Sequence, residues 1–176
     1  SKCFLSKHIL NKRIVRVHGN GEAFDRKVFR EIEHEKTVVD AMLNHVCRGI
    51  KRKGKQLWWE LVSSVNKKKS SSLFHFGMTG AFVVAGVPGM VYKSFKVDSM
   101  NWPPKYCKLE LEFDDKTRVA FCDPRRFGRI LLRGEDPCVE EPISKLARDA
   151  YLDAPSLCDF REKLMSSRSA IKALLL

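Results

Sequence analysis

Residues 119–130 have the sequence VAFCDPRRFGRI, and the rest of the chain is organised around this stretch. Two β-rich runs, residues 118–122 and 129–132, flank a tip that carries two arginines and Phe127. Asp-Pro favours a turn, so the pattern predicts a hairpin. An aromatic ring beside two guanidinium groups suits a polyanion with flat faces, which is nucleic acid. The alternative is a surface hairpin whose Phe127 folds back onto the core.

The composition of the 176-residue chain fits one basic domain. It has 44% hydrophobic residues, enough to bury a core, with a formal net charge of +12 and a pI of about 9.6. Such an excess of positive charge favours nucleic acid as the partner, although ribosomal and membrane-surface proteins also carry it. No apolar run approaches a membrane span and no signal-peptide pattern occurs. We therefore expect an intracellular protein with no membrane partner.

The cysteines and histidines give no sign of a bound metal. Six cysteines are widely scattered and form no Cys-x-x-Cys pair, at positions Cys3, Cys47, Cys107, Cys122, Cys138 and Cys158. Structural zinc sites usually draw on closely spaced pairs, so we expect no metal site. The chain is large enough to be stable without disulfides, which favours reduced thiols. No glycine-rich phosphate loop occurs, and we expect no cofactor.

Strands dominate the predicted secondary structure. They are predicted at residues 13–17, 37–41, 56–62, 73–84 with a break at 77–80, 106–113, 118–122 and 129–132. Helices are predicted at residues 1–10, 24–32, 142–151 and 156–165, a helical turn or loop at 42–49, and a solvated loop at 67–72. Seven or eight strands joined by hairpins predict a two-layer antiparallel β-sandwich with terminal helices, which is an α+β fold that is mainly β.

Four motifs in a fixed order resemble the N-terminal domain of the formamidopyrimidine-DNA glycosylases, the Fpg/Nei (MutM-like) family. They are RKGKQLWWEL at residues 52–61, FHFGMTG at 74–80, DPRRFG at 123–128 and AIKALL at 170–175. Each motif alone has low specificity, but the ordered set is specific and spans nearly the whole chain. The tryptophan-rich motif and Tyr106 bring the resemblance closest to the plant and fungal members.

The resemblance implies a bifunctional DNA glycosylase and abasic-site lyase that excises oxidised purines in base-excision repair. The implied partner is double-stranded DNA that contains an oxidised base or an abasic site, bound by a monomer in the nucleus, with an organelle as the alternative. The family's nucleophile is an N-terminal proline, and the glutamate after it is the acid. This chain begins at Ser1. We therefore expect that opening, and the family's C-terminal helix–two-turn–helix domain, to lie outside the chain, and the chain alone to be inactive.

The resemblance also implies roles for four residues near a flipped nucleotide. The space that the nucleotide leaves would be filled by Met78, Arg125 and Phe127. The apolar side chains would act as a wedge that offsets the lost stacking, and the guanidinium of Arg125 would hydrogen-bond the orphaned base. Lys55 would approach the phosphate of the lesion and donate a proton during β-elimination. It is the one catalytic residue that we expect within the chain.

Further residues are implied to contact the DNA backbone. Arg126 would clamp a phosphate, His75 would contact the backbone, and Tyr106 would donate its hydroxyl where bacterial members have a histidine. Arg168 and Lys172 would face DNA from the segment that leads out of the domain. Residues 42–49 would be an insertion relative to the family.

The same residues also have simpler explanations. Met78 could pack in the core, His75 could be satisfied within its strand, and Lys55 could be a solvated turn lysine. Two alternatives remain for the whole chain: a non-catalytic DNA-binding remnant of the family, and an unrelated basic ribosomal or RNA-binding β-domain. Plain phosphate binding would not need Met78 and Phe127, which favours the family over the unrelated domain.

Overall fold

The computed structural model describes residues 2–19, 24–88, 101–147 and 154–167. The chain forms two compact units, residues 1–144 and residues 145–176. No helix within the described ranges is long and apolar enough to cross a membrane.

Eight strands in the described ranges form two four-stranded antiparallel sheets. The strands are β1 (Ile14–Gly19), β2 (His45–Lys53), β3 (Gln56–Ser63), β4 (Lys69–His75), β5 (Ala81–Val84), β6 (Cys107–Phe113), β7 (Arg118–Cys122) and β8 (Arg129–Arg133). The first sheet has the order β2-β3-β4-β8 and the second has the order β1-β6-β7-β5. The helices are α1 (Lys2–Ile9), α2 (Glu35–Met42) and α3 (Leu157–Ser166), with a 3-10 turn at Pro137–Val139.

The hydrophobic core of the first unit lies between the two sheets. Burial alternates along β6, where each odd-numbered residue from Cys107 to Phe113 is buried, as a half-buried strand requires. An aromatic cluster occupies the core: Trp59 stacks on Phe82 at 5.2 Å, and Phe121 meets Phe82 edge-on at 5.3 Å. Aromatic pairs of this kind contribute about 0.5–1.5 kcal/mol each beyond their burial. The cluster gives the loops above it a rigid base.

Several predictions from the sequence are confirmed. The eight-stranded, two-layer antiparallel sandwich is present, and the predicted bounds of β7 match the observed strand. Helix α3 begins after Ser156, whose hydroxyl accepts a hydrogen bond from the Asp159 N–H at 3.1 Å, as an N-cap residue does. The cysteines of the described residues are not joined by disulfides. Their reduced state stays a prediction.

Three predictions near the start of the chain are wrong. Residues 24–32 form turns instead of a helix, and the carbonyl of Asp25 accepts from both Val28 N–H and Phe29 N–H. Residues 37–41 belong to α2 and not to a strand, because the buried Val38 and Met42 are four residues apart. The helical turn or loop expected at 42–49 is reduced to a turn at residues 43–44, because α2 ends at Met42 and residues 45–49 are the first half of β2.

Three further predictions are wrong, the first two because strand pairing overrides the local pattern. Strands β7 and β8 do not form a hairpin, since β7 pairs with β5 and β6 while β8 pairs with β4 in the other sheet. The predicted loop at 67–72 includes the start of β4, where Ser71 and Ser72 are buried. Residues 142–147 form turns instead of a helix, and residues 148–151 lie outside the described ranges.

Candidate nucleic-acid interface

Two loops at one end of the sandwich carry most of the predicted site. The loop of residues 76–80 joins β4 of the first sheet to β5 of the second and carries Met78. The loop of residues 123–128 joins β7 of the second sheet to β8 of the first and carries Arg125, Arg126 and Phe127. Because both loops cross between the sheets at the same end, they lie against each other.

Asp123 connects the two crossing loops. Its carboxylate is fully buried and accepts hydrogen bonds from Gly128 N–H at 2.6 Å, Arg125 N–H at 3.3 Å and the Thr79 hydroxyl at 2.8 Å. A buried carboxylate is tolerated where donors satisfy its oxygens. This side chain therefore fixes the backbone on both sides of Phe127 and ties it to the loop of Met78.

Gly77 allows the closest approach between the loops. Its φ is +58°, and an added Cβ would lie 2.7 Å from the carbonyl carbon of Phe127 and 2.9 Å from the Gly128 nitrogen. Real Cβ atoms are not found that close to backbone atoms, so glycine alone fits this position. The backbones of the two loops are thus in direct contact beside Met78 and Phe127.

The apolar side chains of the two loops face solvent. Phe127 is 55% exposed and Met78 is 71% exposed. The guanidinium carbon of Arg125 lies 5.5 Å from the centre of the Phe127 ring, a cation–π contact. This exposure disagrees with two simpler explanations: that Phe127 folds back onto the core, and that Met78 is a core residue. A rigid base beneath two exposed apolar side chains is what an inserting wedge needs.

Lys55 lies in the β2–β3 hairpin turn at the same end of the sandwich. The turn is shaped by Gly54 at φ +55° and by a hydrogen bond from Arg52 to the Gly54 carbonyl at 3.0 Å. A pocket of about 280 Å³ opens there, lined by Arg52, Gly54, Lys55, Leu57, Phe76 and Gly77. This volume is near the lower limit of small-molecule sites, about 300 Å³, and the pocket walls carry two cations. The pocket suits an anionic fragment such as a sugar phosphate.

The hydrogen bonding of His75 settles its tautomer. Its Nδ1 accepts from Gly77 N–H at 3.1 Å, so the proton of the neutral ring is on Nε2. Burial, and then the charges of Arg129 and Lys55, lower the pKa of His75 below its usual value of 6.5. The ring is therefore neutral at physiological pH and offers one N–H donor, at Nε2.

Arg126 is held by an acidic residue that the sequence did not indicate. Its Nε and one terminal nitrogen each donate to Asp25 at 2.7 Å, and Lys108 Nζ lies 2.9 Å from the same carboxylate. The backbone of Arg126 is left-handed, with φ 60°, a conformation that costs a non-glycine residue about 1–2 kcal/mol. The bidentate pair offsets that cost. Three of the five N–H donors of the guanidinium remain for a further partner.

The carboxylate of Asp25 titrates far below the usual range. Burial would raise its pKa, but hydrogen bonds from Arg126, Lys108 and the Lys27 N–H outweigh burial and lower the pKa from 3.8 to about 2. A group with a depressed pKa in the folded state contributes stability above its unfolded pKa. That contribution is lost as the pH falls from about 4 towards 2.

We therefore expect Asp25→Asn to lower the melting temperature at neutral pH by removing the ionised partner of two cations. The difference from the unmodified chain should shrink below about pH 4, where the unmodified carboxylate also becomes protonated. Melting curves at several pH values measure this difference. Asp114→Asn is the control, because Asp114 is exposed in a turn between β6 and β7. A difference that stays constant down to pH 2 would contradict the role of the Asp25 charge.

Tyr106 joins the same end through its backbone. Its carbonyl accepts from Asp123 N–H at 3.0 Å, and Lys105 Nζ lies 5.0 Å from the centre of its exposed ring. The structure thus brings together seven predicted site residues: Lys55, His75, Met78, Tyr106, Arg125, Arg126 and Phe127. Arg168 and Lys172 lie outside the described residues. Asp25 and Asp123 were missed, although the Asp-Pro pair that predicted a turn was a signal for Asp123.

Metal ligands do not cluster in the part of the chain that the structure describes. No group of three or more histidine, cysteine, aspartate or glutamate side chains there is arranged to hold a metal ion. The expectation that folding needs no metal stays a prediction.

Comparisons with known proteins agree with this geometry. The sequence model of the formamidopyrimidine-DNA glycosylase N-terminal domain matches residues 1–130. A formamidopyrimidine-DNA glycosylase of Arabidopsis thaliana is 36% identical over 173 residues, which are 98% of this chain and 42% of that protein. One from Geobacter sulfurreducens is 30% identical over 129 residues, which are 70% of this chain and 44% of that protein. The chain therefore spans less than half the length of these two relatives.

A solved structure shows the same fold. It is the crystal structure of Lactococcus lactis Fpg (MutM) in complex with DNA that contains N7-benzyl-Fapy-dG, and it matches with a TM-score of 0.71 at 22% identity. The match covers 99% of this chain and 56% of that one. The domain match covers 130 of the 176 residues and includes three of the four motifs. The chain therefore belongs to the formamidopyrimidine-DNA glycosylase family.

Proposed function

We propose that this chain binds damaged double-stranded DNA and inserts Met78, Arg125 and Phe127 into the base stack. It would do so as the N-terminal part of a bifunctional DNA glycosylase and abasic-site lyase that removes oxidised purines. The observation that carries the proposal is the exposure of Phe127 and Met78 on two loops that Asp123 and Gly77 lock together. Exposed apolar side chains on a rigid support are costly in water and useful where a flipped base leaves a gap.

The remaining site residues fit a division of roles around such a wedge. Lys55 lines the cationic pocket beside Gly77, where it would meet the phosphate of the lesion and donate a proton in β-elimination. His75, Tyr106 and Arg126 would contact the phosphate backbone, which positions the duplex and carries no sequence information. Arg168 and Lys172 would extend that contact.

We also propose an oligomeric state and a cellular compartment for the chain. The chain would act as a monomer, because the wedge approaches one lesion from one side, and in the nucleus, where duplex DNA is repaired. The nucleophilic proline and its neighbouring glutamate would come from the family's opening segment. A non-catalytic DNA-binding remnant would have the same interface, and only the chemistry separates it from an enzyme.

We expect duplex binding by the chain to be weak and steeply dependent on salt. Four to six phosphate contacts predict that log affinity falls with log salt at a slope of about −4 to −5. Fluorescence anisotropy with a duplex that contains an abasic-site analogue measures the slope. A double-stranded RNA of equal length is the comparison for the ribosomal or RNA-binding alternative. A flat salt response, or tighter binding to the RNA, would overturn the proposal.

A further inference from the structure

A row of polar side chains crosses the first sheet at the end that carries the wedge. Lys53 pairs with Gln56, Gln56 with His75, and His75 with Arg129, so the row includes one residue from each of the four strands. Directly opposite residues on neighbouring strands have their Cβ atoms about 4.5–5.5 Å apart on the same face. The four side chains are therefore neighbours.

The row lies on the outer face of the sheet. Side chains alternate between faces along a strand. For three members of the row, the residue beside it in its strand is buried in the core between the sheets: Leu57 after Gln56, Phe74 before His75 and Ile130 after Arg129. Gln56, His75 and Arg129 consequently point away from that core.

Arg129 is an exposed cation without an acidic partner. It forms no salt bridge and no side-chain hydrogen bond with any residue in the described ranges, whereas Arg126 and Arg133 each bind carboxylates. Its backbone is fixed, because it pairs with His75 and follows Gly128, whose N–H donates to Asp123. A Cβ added at Gly128 would lie 3.1 Å from the carbonyl oxygen of His75. The backbones of β8 and β4 are therefore in close contact where β8 begins at Arg129.

His75 supplies a second donor beside this guanidinium. Its Nδ1 is occupied by the Gly77 N–H, which leaves the Nε2–H as the free donor of the neutral ring. A neutral N–H donor and a planar guanidinium on adjacent strands match two oxygens of one phosphate.

We propose that Arg129 and His75 together bind a single phosphate of the DNA backbone on the outer face of the first sheet. This inference rests on the proposed function, since it adds Arg129 to the backbone contact already proposed for His75. Arg129 would carry the electrostatic part of the contact and His75 the directional part. Neither residue belongs to the wedge, and neither lines the Lys55 pocket.

Salt-dependent duplex binding by the 176-residue chain tests this inference. Arg129→Ala should reduce the slope of log affinity against log salt by about 0.9 in magnitude, which is the value for one neutralised phosphate. The loss of affinity between 50 and 200 mM salt should then be about three- to fourfold smaller than in the unmodified chain. Arg129→Lys keeps the charge and should keep the slope. Arg48→Ala is the matched control, because Arg48 is an exposed arginine of β2 in the same sheet, away from the row, and bonded to Asn11.

A double-mutant cycle tests whether the two residues share one phosphate. His75→Ala should weaken binding with little change in slope, because a neutral donor displaces no counterion. The losses of affinity from His75→Ala and Arg129→Ala should be non-additive. If Arg129→Ala behaves like Arg48→Ala, or if the two losses add, the shared site is overturned while the proposed function stands. If the unmodified chain shows no salt-dependent duplex binding, both are overturned.

Discussion

Replacing Asp123 by alanine is expected to cost roughly 3 kcal/mol or more of unfolding free energy. The change leaves the buried N–H of Gly128, and the partly buried Arg125 N–H and Thr79 hydroxyl, without their acceptor. Each unsatisfied buried group costs about 1–3 kcal/mol. In a chain of this size, a loss of 3 kcal/mol lowers the melting temperature by about 6–12 °C. DNA binding should fall as well, because the tip loses its fixed conformation.

Asp136→Ala provides the control for this change. Asp136 accepts a hydrogen bond from the N–H two residues later, at Cys138, in the same way that Asp123 accepts from Arg125, but it is exposed. Its removal should cost less than about 1 kcal/mol, since water replaces the acceptor. Thermal or chemical denaturation of both variants measures the difference. Equal costs would show that Asp123 does not act as the buried connection between the loops.

Replacing Gly77 by alanine is expected to separate the two loops and abolish their joint action on DNA. The new Cβ would lie 2.7 Å from the backbone of Phe127, and the left-handed φ of +58° adds a cost of about 1–2 kcal/mol. Gly86 is a matched control, because it lies in an exposed turn after β5, its φ is +69° and an added Cβ would have no atom within 4 Å. Gly86→Ala should therefore show the backbone cost alone.

The comparison of the two glycine variants isolates the contact between loops. Gly77→Ala should be the less stable protein and should lose preference for a duplex with an abasic-site analogue, whereas Gly86→Ala should keep that preference. Melting temperature and anisotropy measure the two effects. If both variants lose the same stability and both keep the preference, the close approach of Gly77 to Phe127 has no role in the site.

The elements that could be predicted from the sequence are those set by local patterns. The alternation of β6, the apolar run of β7 and the Ser156 cap of α3 each involve neighbours in the chain. Residues 37–41 misled the prediction, because β-branched side chains favour strands, while the burial of Val38 and Met42 follows helical spacing. Tertiary packing decided that element, and no local signal reports it.

The candidate site was predictable as a set of residues and not as an arrangement. The ordered motifs identified Met78, Arg125 and Phe127, but the hairpin expected around residues 119–130 is a crossing between sheets. The partner of Arg126 is Asp25, which lies 101 residues away along the chain. A pairing over that distance depends on how both sheets are assembled, which is why sequence patterns did not reveal it.

Phe127 is proposed to act on DNA and not in the core. The most direct test is Phe127→Ala, measured by melting temperature and by the ratio of affinities for an abasic-site duplex and an intact duplex of equal sequence. Val65→Ala is the control, because Val65 is an exposed apolar side chain in the turn between β3 and β4.

We expect Phe127→Ala to leave the melting temperature and the affinity for the intact duplex nearly unchanged, because the ring is 55% exposed and no base is displaced. The preference for the abasic duplex should fall by about 1–3 kcal/mol, the range found for aromatic stacking on a base, which is roughly 5- to 140-fold. Val65→Ala should change neither quantity. A melting temperature lowered by several degrees with an unchanged preference would show that Phe127 is a core residue and would contradict the account.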